Sequence, residues 1–222
     1  MTMKVRDRMS ENVRTVGLDT SINEAFSLMK ENNIRRLPVV EKGKVTGIIT
    51  IGDLNQASPS TATTLSIHEL NYLLAKTKVK DIINKKQKLI TVGPDNYIET
   101  AAKLMRKYRI SGLPVVEDNK LVGIITETDI FDALIDILGV HKTHSRIDFY
   151  TADRPGTIAS ITGMIAEKGK NILNTVVFFD EKKSKYKMIL RIEELDCEDV
   201  INELKNRGYE VESVIVAPEE NL

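Results

Sequence analysis

Apolar residues between positions 22 and 29 recur at i, i+3, i+4 and i+7, and the same spacing returns between positions 98 and 105. This spacing places the apolar side chains on one face of an α-helix and the polar ones on the other. The two segments lie 76 positions apart. The pattern therefore predicts one amphipathic helix in each of two copies of an internal repeat.

A longer repeat follows each predicted helix. Residues 34–54 and 110–130 are identical at 12 of 21 aligned positions, and each segment contains Leu-Pro-Val-Val, a polar turn and a run that ends in Gly-Ile-Ile-Thr. Two short β-branched runs separated by turn residues predict a β-hairpin. With a first strand that opens at Thr15 or Thr91 and a closing helix, each copy is predicted to be a β-α-β-β-α unit.

The pattern changes after residue 144. Residues 186–192 alternate with period two, whereas residues 158–165 and 200–204 have helical spacing. The predicted order is β-α-β-β-α-β, the ferredoxin-like split motif with both helices on one face of an antiparallel sheet. The fold class is therefore expected to be α+β, a pair of repeats followed by a ferredoxin-like domain.

Two breaks in the pattern divide the chain. A polar run at 55–64, which contains Pro59, predicts a surface loop after the first copy. Helical spacing ends near residue 140, and a new alternation begins. We expect the first copy at residues 1–76, the second at 77–140 and the third domain at 141–222.

Composition limits the classes of function. Of the 222 residues, 41% are hydrophobic and 29% are charged, and Lys plus Arg equals Asp plus Glu at 32 each. This balance gives no general attraction to nucleic acid. No apolar run approaches the ~20 residues that span a bilayer, residues 1–10 lack a signal region, and Cys197 has no second cysteine to pair with. We expect a cytoplasmic protein with neither membrane nor nucleic-acid partners.

The same two polar residues end the hairpin in each copy: Thr50 and Asp53, then Thr126 and Asp129. A threonine at a strand end and an aspartate at the next helix start would present a hydroxyl and a carboxylate to one cleft. Such a carboxylate accepts hydrogen bonds from two neighbouring hydroxyls, as ribose provides. The same spacing also caps a helix without any ligand, and both interpretations stay open.

The duplicated segments resemble the CBS motif, the cystathionine-β-synthase-type regulatory module, over residues 1 to about 140. In that family paired motifs bind adenosine-containing ligands such as AMP, ATP or S-adenosylmethionine in two clefts. The resemblance implies that the aspartates hold ribose, that the hairpin threonines approach phosphate or ribose, and that backbone near Leu-Pro borders adenine. The implied positions are Thr15, Leu37, Pro38, Thr50 and Asp53 in the first copy, and Thr91, Leu113, Pro114, Thr126 and Asp129 in the second.

The two clefts are not expected to be equivalent. Arg35 and Arg36 precede the Leu-Pro of the first copy, where the second copy has Ser111 and Gly112. Guanidinium groups bind phosphate through charge-assisted hydrogen bonds, so the first cleft is expected to favour phosphate. Alternatively, both arginines only solvate a helix end, where a positive charge is favourable.

A second candidate site lies between the first strand and first helix of the third domain. Asp153-Arg154-Pro155-Gly156 would expose a helix N-terminus to a carboxylate and offer Asp153 to an ammonium group, which suits an amino acid. The same sequence is also simply a good helix start, with Pro155 in the first turn. The segment from about 146 to 216 resembles an ACT domain, a regulatory module that often binds amino acids, and this resemblance implies that Asn171 or Asn174 borders the ligand.

No pattern in the sequence predicts catalysis. His141 and His144 have a spacing that binds metal on a helix, but no further His or Cys lies near, so we expect no metal site and no cofactor. Two CBS motifs followed by an ACT domain are similar to the AcuB-type family of acetoin utilization. This resemblance implies a homodimeric regulatory protein that acts on a protein target in carbon metabolism. The alternative is a structural dimerisation module with vestigial clefts.

Overall fold

The computed structural model describes residues 3–58, 67–83, 88–140 and 142–217. The chain divides into two compact units, residues 1–131 and 132–222. The division falls inside a helix, nine residues before the predicted boundary after residue 140. The three predicted domain ranges stay predictions.

Residues 22–138 contain two copies of a helix, a hairpin and a helix, and the last helix continues from the first unit into the second. In chain order the elements are α1 Ile22–Glu31, β1 Arg36–Glu41, β2 Lys44–Thr50, α2 Ile51–Ala57, α3 Ile67–Lys76, α4 Val79–Ile82, α5 Ile98–Tyr108, β3 Gly112–Glu117, β4 Lys120–Thr126 and α6 Glu127–Leu138. The apolar spacing that predicted α1 and α5 is the spacing of their buried residues, since Ile22, Ala25 and Met29 are buried in α1. Ser21 caps α1 by accepting the Glu24 N–H.

Each hairpin is antiparallel and carries a bulge at the same position of the repeat, after Val39 in one and after Val115 in the other. Leu37 and Leu113 are fully buried in the two hairpins. Burial of such a side chain contributes ~1.5–3 kcal/mol. The repeated apolar residues therefore form the framework of the unit.

The predicted first strand of each copy is shorter than expected. Each is a single parallel bridge, Val16 with Val39 and Val92 with Val115. The Val16 N–H donates to Pro38 O at 3.1 Å, and the Val40 N–H donates to Val16 O at 2.8 Å. A turn in which the Thr20 N–H donates to Gly17 O follows at once, so no longer ladder forms.

The second unit has the predicted β-α-β-β-α-β order. Its elements after α6 are β5 His144–Thr151, α7 Thr157–Glu167, β6 Ile172–Asp180, β7 Lys185–Ile192, α8 Glu198–Asn206 and β8 Glu210–Ala217. The antiparallel sheet has the order β6-β7-β5-β8. Ile147, Phe149, Met188 and Leu190 form a core with apolar residues of both helices, which leaves the opposite face of the sheet free of α7 and α8.

Candidate functional site

The Thr-x-x-Asp pairs cap helices in both copies. The Thr50 N–H and Oγ1–H both donate to Asp53 Oδ2 at 2.7 Å, and the Thr126 groups donate to Asp129 Oδ2 at 2.6 and 2.7 Å. The capping interpretation therefore holds in each copy. Within the described chain, neither aspartate Oδ1 receives a hydrogen bond, so each carboxylate keeps one oxygen for another donor.

A cleft of about 730 Å³ lies beside Asp129. We call it the arginine cleft. Its lining combines three guanidinium groups, two carboxylates and an apolar wall, and so has one net positive charge. The residues are Ser10, Asn12, Val13, Arg14, Asn32, Asn33, Ile34, Arg35, Arg36, Ser111, Ile124, Thr126, Glu127, Thr128 and Asp129.

A second cleft, of about 570 Å³, has an apolar lining. We call it the apolar cleft. Among the described residues that line it, Lys88 is the one with a charge. The full set is Leu18, Thr46, Gly47, Ile48, Ile83, Lys88, Leu89, Ile90, Tyr108, Ile110 and Gly112.

The 76-residue repeat relates the two clefts. Residues 12, 13, 14, 32, 34 and 36 of the arginine cleft correspond to residues 88, 89, 90, 108, 110 and 112 of the apolar cleft. Ile124 corresponds to Ile48 in the same way. Both clefts are therefore built from residues of both copies.

The arginines lie beside the aspartate of the other copy. The sequence predicts that Arg35 and Arg36 distinguish the cleft of the first copy, and the structure places them in one cleft with Thr126 and Asp129 of the second copy. The physical reason is a crossover, because the N-terminal segment of the first copy pairs with β4 of the second through reciprocal Ser10–Ile124 hydrogen bonds of 2.9 and 3.0 Å. The first copy's arginines thus reach the second copy's carboxylate.

Arg36 is the more enclosed of the two arginines. Its Nη2 donates to Ser111 Oγ, and its side chain passes over Gly112, where an added Cβ would lie 2.8 Å from Arg36 Cδ. The pKa of Arg36 is lowered, mainly by burial, and the carboxylates of Glu127 and Asp129 oppose this change only in part. Arg36 is thus a half-buried cation that an anion in the cleft would stabilise.

Other predicted positions line neither of these two clefts. Leu37, Pro38, Leu113 and Pro114 are buried in the hairpins, and the Pro38 and Pro114 carbonyls accept the N–H groups of Val16 and Val92. Thr15 and Thr91 are exposed, and Thr50 with Asp53 lies outside both linings. Their assignment as ligand contacts stays a prediction.

Sequence reasoning missed part of the arginine cleft. Arg14 Nε donates to Asn32 Oδ1 at 3.1 Å, and both residues line the cleft. Their equivalents one repeat later are Ile90 and Tyr108. Comparison of the two copies at positions that are not identical would have singled out this pair.

The β5–α7 turn of the second unit is exposed. Gly156 is the N-cap of α7 with φ of 87°, so Pro155 lies before the helix rather than in its first turn as predicted. A hydrogen bond to Asp153 raises the pKa of Tyr186. Asn171 Nδ2 donates to Glu193 Oε2.

Of the two histidines whose spacing could bind a metal, His144 begins β5, and its Nδ1 lies 2.6 Å from Lys142 O. His141 lies outside the described residues.

Together, the duplicated helix–hairpin–helix units and their paired clefts define a tandem module that can hold a small ligand between its copies. The CBS-domain family model matches residues 5–60 and 79–136, which is half of the chain. The chain belongs to the CBS-domain family. Among the described residues, no helix is long and apolar enough to cross a membrane.

Several known proteins share this module. The chain is 36% identical over 140 residues to a CBS domain-containing protein of Dictyostelium discoideum, covering 62% of this chain and 95% of that protein. It is 39% identical over 155 residues to inosine-5'-monophosphate dehydrogenase of Korarchaeum cryptofilum, covering 67% of this chain but 29% of the enzyme. A solved structure of a candidate acetoin utilization protein (AcuB) from Vibrio cholerae has a TM-score of 0.51 at 29% identity, covering 63% of this chain and 96% of that one.

Proposed function

We propose that the CBS pair is a non-catalytic regulatory sensor that binds an adenosine nucleotide in the arginine cleft. The observation that carries this proposal is that Asp129 and Arg36 share one cleft with an apolar wall. A ligand held between the two copies favours one relative arrangement of them, and it shifts that equilibrium by its difference in affinity for the two states.

The three parts of a nucleotide match three parts of the cleft. The free Oδ1 of Asp129 accepts hydrogen bonds from the ribose hydroxyls, while its Oδ2 keeps the helix cap with Thr126. Arg35 and Arg36 bind phosphate. Val13, Ile34 and Ile124 supply an apolar wall for adenine. Capping and sugar binding therefore coexist on one carboxylate.

Charge favours AMP or ATP over S-adenosylmethionine in this cleft. Three guanidinium groups outnumber two carboxylates. The excess positive charge of the cleft attracts the negatively charged phosphate of AMP or ATP, whereas it repels the positively charged sulfonium centre of S-adenosylmethionine. We therefore rank AMP and ATP first and S-adenosylmethionine below them.

The known relatives support a regulatory role. CBS domains are regulatory modules, and the inosine-5'-monophosphate dehydrogenase matched here is a much longer protein than the shared segment. The likeness to the Vibrio cholerae protein supports a role in acetoin utilization through a protein target. We include that role in the proposal.

We propose further that the second unit is an ACT domain that binds an amino acid at the β5–α7 turn. The β-α-β-β-α-β order and the αL conformation of Gly156 support this. The Thr157 N–H donates to Arg154 O at 3.1 Å, so the next N–H groups of the first turn of α7 would receive the carboxylate. Asp153 would face the ammonium group. Asn171 would have to leave Glu193 to join such a ligand.

A second candidate function is homodimerisation. Phe131, Leu134 and Ile137 on α6 are exposed, with Phe131 at 61%, and so are Phe178 and Phe179 of β6, an edge strand of the sheet. Apolar patches and open strand edges of this kind commonly meet a partner. We propose a homodimer, which sedimentation equilibrium would test; a monomer at all concentrations would contradict it.

The sensor proposal is tested by calorimetric titration of AMP, ATP, adenosine and S-adenosylmethionine into the full chain. AMP is expected to bind at least tenfold more tightly than adenosine, which is a difference of about 1.4 kcal/mol. Asp129→Asn should weaken AMP and adenosine alike, because both carry the ribose hydroxyls.

Asp53→Asn is the matched control. It makes the same change at the equivalent capped position of the other copy, outside the arginine cleft. It should leave AMP affinity unchanged. If none of the adenosine compounds gives a heat of binding, the sensor proposal is wrong. If Asp129→Asn and Asp53→Asn change AMP affinity equally, Asp129 does not contact the ligand.

A further inference from the structure

The face of the second-unit sheet that is free of α7 and α8 carries a cluster of charged residues. Arg146 and Asp148 of β5 and Lys187 and Arg191 of β7 alternate with core residues and so point to the opposite face. Asp148 is only 3% exposed and Arg191 only 6%. Charges buried to this degree normally have a partner.

Arg146 has such a partner. Its Nε and Nη2 donate to the two oxygens of Asp148 at 2.7 and 2.8 Å, which is the bidentate geometry of a strong ion pair. Lys187 Nζ lies 3.3 Å from the same carboxylate. Both oxygens of Asp148 are therefore already engaged.

Arg191 lies directly opposite Arg146 in the β5–β7 register, and its Nε is buried without a hydrogen-bond partner. Burial and the neighbouring charge of Arg146 lower the pKa of Arg191, and Asp148 offsets this only in part. Two neighbouring guanidinium groups thus share the one carboxylate of Asp148, an arrangement that favours a further anion beside Arg191.

A buried acceptor without a partner lies on the other side of Arg191. Asn174 is its partner residue in the β6–β7 register. Asn174 Nδ2 donates to Ile137 O at 2.9 Å, which orients the amide so that Oδ1 is the free atom, and Oδ1 is buried without a donor. Directly paired residues of an antiparallel sheet have Cα atoms about 5 Å apart. The unpaired Arg191 Nε and the unpaired Asn174 Oδ1 thus belong to directly paired residues of neighbouring strands.

We propose that Arg191 and Asn174 form a binding site for a small 2-hydroxy carboxylate. The carboxylate accepts from Arg191, and the hydroxyl on the next carbon donates to Asn174 Oδ1. A 2-amino acid offers the same two contacts but brings an ammonium group next to Arg191 and Arg146, which repel it. A simple carboxylate lacks the donor and leaves Asn174 Oδ1 unpaired.

This site is separate from the β5–α7 turn, so Asn174 is assigned to it rather than to the ligand at the turn, where the ACT resemblance placed Asn171 or Asn174. Arg146 lies near the start of β5 and the turn follows its end, five residues after Arg146 at Thr151. At the rise of a strand these positions are about 17 Å apart. The proposal also does not depend on the arginine cleft, because it uses a different ligand and different residues.

The test is calorimetry and thermal unfolding of the full chain with L-lactate, propionate and L-alanine, up to about 10 mM, a range that detects millimolar dissociation constants. L-Lactate should bind and raise the Tm. Propionate should bind about tenfold more weakly, since it lacks the donor to Asn174 Oδ1. L-Alanine should bind more weakly than L-lactate.

Arg191→Met should abolish lactate binding with little change in the Tm, because it removes a buried guanidinium whose Nε has no hydrogen-bond partner and whose only described opposite charge, Asp148, stays paired with Arg146. Arg191→Lys keeps the charge without the Nε–H and should weaken binding. Arg146→Met is the control, since it separates an ion pair and leaves Asp148 buried, and so should lower the Tm. Failure of L-lactate to bind would overturn the proposal. So would unchanged binding to Arg191→Met, or L-alanine binding as tightly as L-lactate.

Discussion

The two clefts of the CBS pair occupy equivalent positions in a duplicated scaffold, yet one is polar and the other apolar. Arg14 and Asn32, which are hydrogen-bonded at 3.1 Å in the arginine cleft, are replaced one repeat later by Ile90 and Tyr108. The hairpins and their bulges are the same in both copies. The repeated framework therefore sets where a cleft forms, and the residues that differ set what it binds.

One pair of equivalent residues shows how the asymmetry is built. Arg36 and Gly112 occupy the same repeat position, and the Arg36 side chain passes over Gly112 on its way to the arginine cleft. A long side chain at both positions would compete for this space. The absence of a side chain at residue 112 therefore leaves room for the Arg36 guanidinium, a group that no described residue contributes to the apolar cleft.

The largest effect that would test this difference is expected from Arg36→Gln. Charge-assisted hydrogen bonds contribute about 1.5–3 kcal/mol each, so AMP affinity should fall about 10- to 100-fold. Adenosine affinity should change little, since adenosine has no phosphate. Calorimetry with both ligands at two salt concentrations would measure this.

Lys88→Gln removes the charge that the described lining residues contribute to the apolar cleft, and it is the control for Arg36→Gln. It should leave AMP affinity unaltered. If Lys88→Gln weakens AMP and Arg36→Gln does not, the nucleotide occupies the other cleft and the comparison is reversed.

Much of the framework was predictable from the sequence, but the composition of the clefts was not. The periodic spacing of Ile22 and its neighbours predicted α1, because burial of one helix face is a local property of the sequence. The position of Arg36 beside Asp129 depends on the crossover between Ser10 and Ile124, which joins residues far apart in sequence. The apolar pattern within one segment does not show which distant segment it pairs with.

The two capping aspartates offer a second test, of intermediate size. Asp53→Ala and Asp129→Ala each remove the acceptor of a Thr N–H and Oγ1–H pair. Loss of a helix cap typically costs about 1 kcal/mol, so urea denaturation should show similar decreases in the free energy of unfolding for the two variants. Only Asp129→Ala should also weaken AMP. A much larger loss of stability for one variant would show that the copies differ in their framework as well.

Gly112→Ala is expected to have the smallest effect. Its Cβ would lie 2.8 Å from Arg36 Cδ and 3.1 Å from Arg36 Nε, so the flexible arginine must shift while the backbone tolerates alanine. We expect AMP affinity to fall about threefold, equivalent to about 0.6 kcal/mol, with adenosine affinity unchanged. Gly163→Ala, on α7 with nothing within 4 Å of the added Cβ, is the control and should leave AMP affinity unaltered. If Gly112→Ala leaves AMP affinity unaltered as well, the contact between residues 36 and 112 does not position the cation, and the difference between the clefts depends on Arg36 alone.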